Sequence, residues 1–291
     1  MPALNGHPAA SDDPLAPLVE RARSGDPAAL NELVRAVQDD VYGLAIRMLW
    51  DPHDAEDATQ EILVKLVTRL DGFRGDSALR TWVYRVAVNH LLTTRRRRME
   101  RQGWNFGAFA DDLAAGLDPD APADPATPAD RLLAEEVKVG CTLGMLQCLD
   151  RAQRMAYILG EVFGLPSETA AGLCDTSPAA YRKRLSRARG AVRAFVAEHC
   201  GIVNPSAACR CHRRSETAVR LGRIDPGAPT FVSHPRLTDA PAIASAVAEM
   251  DDLHDTAALF RSHPNFATPE RVAQAVTGAI SRARTLLDPE P

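Results

Sequence analysis

Hydrophobic positions recur at helical spacing along most of this chain, and the pattern predicts an all-α fold. The first stripe follows the helix start Asp26-Pro27 and contains Leu30, Leu33, Val34, Val37, Val41, Leu44 and Met48. The second stripe contains Ile62, Leu63, Leu66, Val67 and Leu70. The third, which we expect to begin near Asp76 or Ser77, contains Leu79, Trp82, Val83, Val86 and Leu91. Packed together, these three helices would form one small domain.

The polar positions of the second and third helices carry opposite charges. Acidic residues crowd the first turns of the second helix, where they suit the positive end of the helix dipole. The third helix leads into a run of four arginines and places Trp82 and Tyr84 among basic residues. This mixture suits single-stranded nucleic acid, because bases stack on aromatic rings while guanidinium groups hold phosphates. The alternative is that both rings belong to the core and that the arginines form a solvated face.

A second helical region is predicted between residues 131 and 199. After helices at Arg131 to Leu149 and Gln153 to Phe163, a short helix around Glu168 to Leu173 leads into a turn at Asp175. Ser177 then caps a longer helix that has Pro178 at its first position. The buried side of this helix would comprise Tyr181, Leu185, Ala188, Val192 and Phe195. Its remaining surface is basic without an acidic residue, which suits a helix-turn-helix that binds duplex DNA.

Two segments of the chain resemble a known family. DAEDATQE followed by FRGDSALRTWVYRVAVNHLL and a basic run resembles region two of bacterial sigma factors, most closely those of the extracytoplasmic-function (ECF) group, and RKRLSRAR resembles the end of region four. The resemblance implies a region-two domain at residues 18–101, a linker at 102–130 and a region-four domain at 131–199. Cys174, Asp175 and Asp150 depart from the usual leucine, glycine and proline, which leaves the promoter sequence unpredictable.

The resemblance also implies roles for individual residues. The residues that would dock on the clamp of the beta-prime subunit of core RNA polymerase are Asp54, Glu56, Asp57, Gln60 and Glu61. Those that would read and melt the minus-ten element of promoter DNA are Arg80, Trp82, Tyr84, Arg85, Asn89, Arg95 and Arg96. Those that would bind the minus-thirty-five element are Ser177, Arg182, Lys183, Arg184, Arg187 and Arg189. An anti-sigma factor is a further candidate partner.

The terminal and linking segments differ in composition from the helical domains. Residues 1–17 are rich in Pro, Ala and Asp, and we expect them to be disordered. The linker is acidic and has prolines at every third position from Pro119 to Pro128, which favours extended geometry. In sigma factors such a linker threads toward the polymerase active site, where acidic residues mimic nucleic acid. The candidates here are Asp111, Asp112, Asp118 and Asp120, and the alternative is a plain spacer.

Residues 200–291 extend beyond a minimal sigma factor of this group. Cys200, Cys209 and Cys211, with His199 or His212, would suit a tetrahedral zinc or another thiophilic ion. A thiol redox switch and reduced cysteines in a turn are the alternatives. Further on, apolar stripes predict two helices, which carry Ile243, Val247, Met250, Leu253, Ala257 and Phe260, and then Val272, Val276, Ala279, Ile280 and Leu287. We expect the extension either to regulate the protein in cis or to stabilise it.

Composition narrows the functional class. The 291 residues carry a formal net charge of −4, so nucleic-acid binding must come from local basic clusters. No secretion signal or membrane-length apolar run is present, which predicts a cytoplasmic protein. No catalytic constellation or required cofactor is evident, so we expect no enzyme. The rival function is a helix-turn-helix regulator without a sigma role, which would leave the acidic helix unexplained.

Overall fold

The computed structural model describes residues 13–94, 103–121, 125, 127–231 and 256–287, with side chains as far as residue 279. Across these ranges the chain is all-α, as predicted, and its only β pairing is an isolated bridge between Cys200 and Cys209. No helix in these ranges has both the length and the apolar character that a membrane span needs. The helices are α1 (Ala16–Arg23), α2 (Pro27–Leu49), α3 (Pro52–Thr68), α4 (Leu79–Thr93), α5 (Phe106–Ala115), α6 (Pro128–Gln147), α7 (Arg151–Tyr157), α8 (Ser167–Leu173), α9 (Pro178–His199), α10 (Ser215–Arg220), α11 (Thr256–Arg261) and α12 (Glu270–Leu287).

The first domain is built around α2, which packs against α1, α3 and α4. Asp26 caps α2 by accepting hydrogen bonds from the backbone N–H groups of Ala28 and Ala29, at 2.9 and 3.2 Å. This confirms the predicted Asp26-Pro27 start. The predicted disorder of residues 1–17 is wrong at its end, because α1 begins at Ala16 and buries Val19 against the core; residues 1–12 lie outside the described ranges.

The start of α4 differs from the prediction. Neither Asp76 nor Ser77 caps this helix, which begins at Leu79 after Ala78 without a side-chain cap from its own segment. The Leu79 N–H instead donates to the carboxylate of Asp13, 66 positions earlier in the chain. A local helix-start pattern carries no information about a cap that arrives through tertiary packing.

The linker is more ordered than its prolines suggested. Asn105 caps α5 by accepting from the Ala108 N–H at 3.0 Å, and the helix buries Phe109 and Leu113. The prediction of extended geometry concerned the prolines from Pro119 to Pro128, and the helix at residues 106–115 precedes them. The linker ends at a capping box in which Thr127 and Asp130 satisfy each other's backbone N–H groups.

The second domain contains the predicted helix-turn-helix. Asp175 has φ 48°, in the left-handed region that Asp tolerates, and connects α8 to the Ser177 cap of α9. All five apolar positions predicted for the inner side of α9 are buried. One of them, Tyr181, donates its hydroxyl to the backbone oxygen of Ala156 at 2.9 Å. The helix that carries the basic residues is therefore held firmly by its opposite side.

The two domains and the C-terminal helices share one hydrophobic core. Tyr84 of α4 packs edge-on against Phe163, with ring centroids 5.9 Å apart. Arg154 of α7 is 3 % exposed and donates to the backbone oxygens of Leu146 and Leu149 in its own domain and of Met48 at the end of α2. The surfaces proposed for DNA and polymerase are thus positioned by a single packed body.

Candidate polymerase and promoter surfaces

The acidic residues of α3 differ in their accessibility. Asp57 and Glu61 are exposed, Asp54 and Gln60 are partly exposed, and Glu56 is only 8 % exposed. Glu56 accepts two hydrogen bonds from the guanidinium of Arg271, which belongs to the C-terminal helix α12. The sequence places these residues on one helix, but it gives no sign that a later part of the same chain covers one of them.

The candidate minus-ten residues on α4 fall into three groups. Arg85 and Asn89 are exposed. Trp82 is partly exposed and packs on Phe73 at 5.6 Å between ring centroids. Tyr84 is 2 % exposed, and burial raises the pKa of its phenol, so this ring lies in the core as the alternative interpretation had it. Arg95 and Arg96 lie outside the described residues.

Arg80 joins helices of the first domain in this conformation. Its guanidinium forms an ion pair with Asp40 of α2 and donates to the backbone oxygen of Ala36 at 3.1 Å. Both partners lie on α2, so the side chain links α4 to α2. Of the polar α4 candidates in the described residues, Arg85 and Asn89 are the two that present an exposed surface.

The candidate minus-thirty-five surface is the outer side of α9. Arg182, Lys183, Arg187 and Arg189 are exposed and Arg184 is partly exposed, while the Ser177 hydroxyl caps the helix. Arg193 is a further exposed basic residue of α9. It belongs to the basic side of this helix but was not among the predicted minus-thirty-five residues. Within the second domain, Arg182 contacts Glu168 at 3.2 Å and Arg189 contacts Glu161. Both arginines remain exposed, although Glu161 is mostly buried, and the surface stays strongly cationic.

The cysteines of the C-terminal junction gather around a residue that the sequence analysis did not include. Cys200 and Cys209 lie opposite each other in the isolated bridge, where the Gly201 N–H donates to the Cys209 carbonyl at 3.0 Å. Cys141 of α6 lies near Cys200, Cys209 and Cys211. Burial, and after it the neighbouring thiols, raises the pKa of Cys141.

The histidines proposed beside these cysteines have other surroundings. The His199 ring packs on Phe195, with centroids 4.6 Å apart, and His212 opens a short 3₁₀ turn. Burial raises the pKa of Cys209 to about 11, so the thiol form prevails at neutral pH. Among the side chains that the structure describes, no three His, Cys, Asp or Glu residues are arranged as a metal site.

One acidic residue of the linker is engaged by the C-terminal extension. Asp112 of α5 accepts from Arg223 at 2.6 Å and from Arg214 at 3.0 Å. These contacts, above all the hydrogen bond from Arg223, lower the pKa of the Asp112 carboxyl. In this conformation Asp112 therefore holds the extension in place, and its charge is already matched by two arginines.

The chain is similar to characterised proteins over both helical domains. The family description Sigma-70 region 2 matches residues 33–101, and the description Sigma-70, region 4 matches residues 140–192. The RNA polymerase sigma-H factor of Pseudomonas aeruginosa is 33% identical over 179 residues, which cover 60% of this chain and 90% of that protein. The ECF RNA polymerase sigma-E factor of Escherichia coli K12 is 34% identical over 186 residues, with the same coverage of 60% and 90%. The solved structure of CnrH in complex with the cytosolic domain of CnrY aligns at a TM-score of 0.42 and 23% identity, over 62% of this chain and 94% of that one.

Proposed function

This chain belongs to the ECF group of bacterial RNA polymerase sigma factors, and we propose which of its surfaces carry out promoter-specific initiation. As a sigma factor it binds core RNA polymerase and promoter DNA and starts transcription, so the rival role as a regulator that acts without polymerase is set aside. Sigma factors are initiation factors and not enzymes in themselves. We accordingly assign no catalytic residue, require no cofactor for initiation, and place the protein's action in the cytoplasm.

The basic side of α9 is the observation that carries the assignment of the duplex-binding surface. It follows the helix-turn-helix, it is exposed, and its opposite side is locked into the core. Arg182, Lys183 and Arg187 would contact phosphates and base edges of the minus-thirty-five element, since basic residues on a recognition helix meet phosphates on both flanks of the major groove. Arg193 would extend this contact along the DNA backbone.

We assign strand capture to the exposed part of α4. Arg85 and Asn89 would hold the displaced strand, and the exposed part of Trp82 would take an unpaired base, where stacking contributes about 1–3 kcal/mol. Tyr84 acts differently: from the core it supports α4 against Phe163. Arg80 supports the same helix through its ion pair with Asp40.

Strand opening tests this assignment. We expect Arg85→Ala and Asn89→Ala each to lower promoter opening about fivefold, because each variant removes one polar contact of about 1 kcal/mol. Permanganate reactivity of unpaired thymines in the complex with core polymerase measures the opening. Arg35→Ala, which removes an exposed arginine from α2, is the control. Normal opening in both α4 variants would contradict the assigned face.

The acidic side of α3 is proposed to contact the clamp of the beta-prime subunit. Asp57 and Glu61 are exposed and would make the first contacts, while Glu56 would join them only after Arg271 has left. Both an anti-sigma factor and core polymerase could use this charged surface. Opposite charge on the partner would speed the encounter and make it sensitive to salt.

We also propose that four cysteine thiols form one group that binds a thiophilic metal ion. They belong to Cys141, Cys200, Cys209 and Cys211. Cys141 replaces the histidines in this group, because Cys200, Cys209 and Cys211 are all near enough to add to the rise in the pKa of its thiol. The thiols would have to draw together and lose their protons to hold an ion, which is expected since metal binding and deprotonation are coupled.

Zinc content tests this part of the proposal. Protein purified with zinc is expected to retain one Zn²⁺ per chain, and Cys141→Ser or Cys209→Ser is expected to lose it. Cys148→Ser and Cys174→Ser alter cysteines outside the group and are expected to retain the ion. Absence of bound zinc in the wild-type chain at micromolar concentration would identify the group as reduced structural thiols.

A further inference from the structure

A C-terminal segment, residues 256–279, lies across both sigma domains, and we refer to it as the C-terminal clamp. On the second domain it inserts Phe260, which is fully buried with its ring centroid 5.1 Å from that of Tyr157. His263 forms a hydrogen bond with the hydroxyl of Thr142 on α6. These contacts fix the first half of the clamp to the helices that carry region four.

The second half of the clamp is fixed to the first domain. The guanidinium of Arg47 on α2 lies 4.6 Å from the ring centroid of Phe266. The Thr268 N–H donates to the carboxylate of Asp39, also on α2, at 2.9 Å. Helix α12 then packs on α2 and α3 and buries Val272, Ala273 and Val276. The clamp therefore ends on the helix that carries the acidic surface.

Arg271 of the C-terminal clamp binds the carboxylate of Glu56. Its Nε lies 2.7 Å from one carboxylate oxygen of Glu56, and its Nη2 binds the other oxygen. Two parallel hydrogen bonds of this kind use both oxygens of a carboxylate. The hydrogen bond to Glu56 also raises the pKa of Arg271. A cation of a partner protein cannot reach Glu56 in the same way while Arg271 remains.

We propose that the C-terminal clamp and core polymerase compete for the acidic side of α3, so that the docked clamp holds this sigma factor inactive. The inference rests on the proposed role of α3 in polymerase binding and adds its regulation. The clamp offers a cation where the polymerase would, and its helix α12 covers part of the same surface. When only an undocked fraction can bind, the apparent affinity for polymerase falls by that fraction.

Two features of the docked clamp favour its release. The side chain of Arg271 remains 66% exposed, so solvent screens its ion pair. Helix α11 has only six residues, which is too short to be stable without its packing partners. The part of the clamp that covers α3 consists of one screened ion pair and the apolar strip of α12, which suits a segment that leaves this surface without unfolding the domains beneath it.

Hydrogen exchange of the full chain, alone and bound to core polymerase, tests the competition directly. In the free chain the backbone amides of α12 are expected to be protected. In the complex they are expected to exchange at least about tenfold faster, because α12 has left the surface of α3. The amides of α3 are expected to become more protected, because polymerase now covers this helix. Equal protection of α12 in the free and bound chain would overturn the inference, since the clamp and polymerase would then occupy α3 together.

A charge reversal gives the second test. Arg271→Glu places like charges together and is expected to raise the affinity for core polymerase about fivefold. Arg220→Glu makes the same change of charge on α10 and is expected to leave the affinity unchanged. An unchanged affinity for Arg271→Glu would overturn the inference alone. Failure of wild type and variant alike to bind core polymerase would overturn the proposed function, and the inference with it.

Discussion

Removing the charge from the outer side of α9 is expected to abolish promoter recognition while the fold persists. A variant in which Arg182, Lys183, Arg187 and Arg193 are all alanine should bind a promoter, as the complex with core polymerase, about 10²–10³-fold more weakly. All four side chains are exposed, and alanine favours the helix. The slope of log affinity against log salt concentration should also flatten by about three to four, because fewer counterions are released from the DNA.

A control of equal charge separates this effect from net charge. Arg35, Arg69, Arg131 and Arg220 are exposed residues of other parts of the chain, and their joint replacement with alanine removes the same charge. We expect this control to keep most of its promoter affinity and of its salt dependence. Equal losses in the two variants would show that general charge, rather than the side of α9, governs binding.

Loss of the buried guanidinium of Arg154 is expected to lower stability more than any other single substitution proposed for this chain. Arg154→Met should lower the free energy of unfolding by about 3 kcal/mol, because three backbone oxygens in a buried position would each lose a hydrogen bond from a charged donor. Those oxygens belong to Leu146 and Met48, near the ends of α6 and α2, and to Leu149, which follows α6. Denaturant unfolding followed by circular dichroism measures the change.

Arg131→Met is the matched control for this variant. Arg131 is exposed on α6, and its replacement is expected to change the free energy of unfolding by less than about 0.5 kcal/mol. A similarly small change for Arg154→Met would mean that the local structure relaxes or admits water, and that this side chain is not a principal tie between the domains.

Features set by neighbouring residues could be predicted from the sequence. The Asp26 and Ser177 caps, the buried side of α9 and the left-handed Asp175 all follow from side chains within a few positions of where they act. The same holds for the charge difference between α3 and α9. Such features depend on helix periodicity and capping, which are local rules.

Features set by distant partners could not be predicted. Arg271 binds Glu56 across 215 positions in the chain. Cys141 lies near the junction cysteines, although no residue close to it in sequence indicates this. The burial of Tyr84 depends on Phe163 from the other domain. Its aromatic side chain among arginines fits either a base platform or a core position, and only the packing of the two domains decides between them.

Reconstituted transcription shows whether this chain starts transcription at specific promoters. Core bacterial RNA polymerase is mixed with fragments of the source genome, with and without the full chain, and the 5′ ends of the new transcripts are sequenced. We expect the chain to add a small set of defined start sites, and Arg271→Glu to increase the yield from the same sites. Binding of the chain to DNA without any new start site would contradict its assignment as an initiation factor.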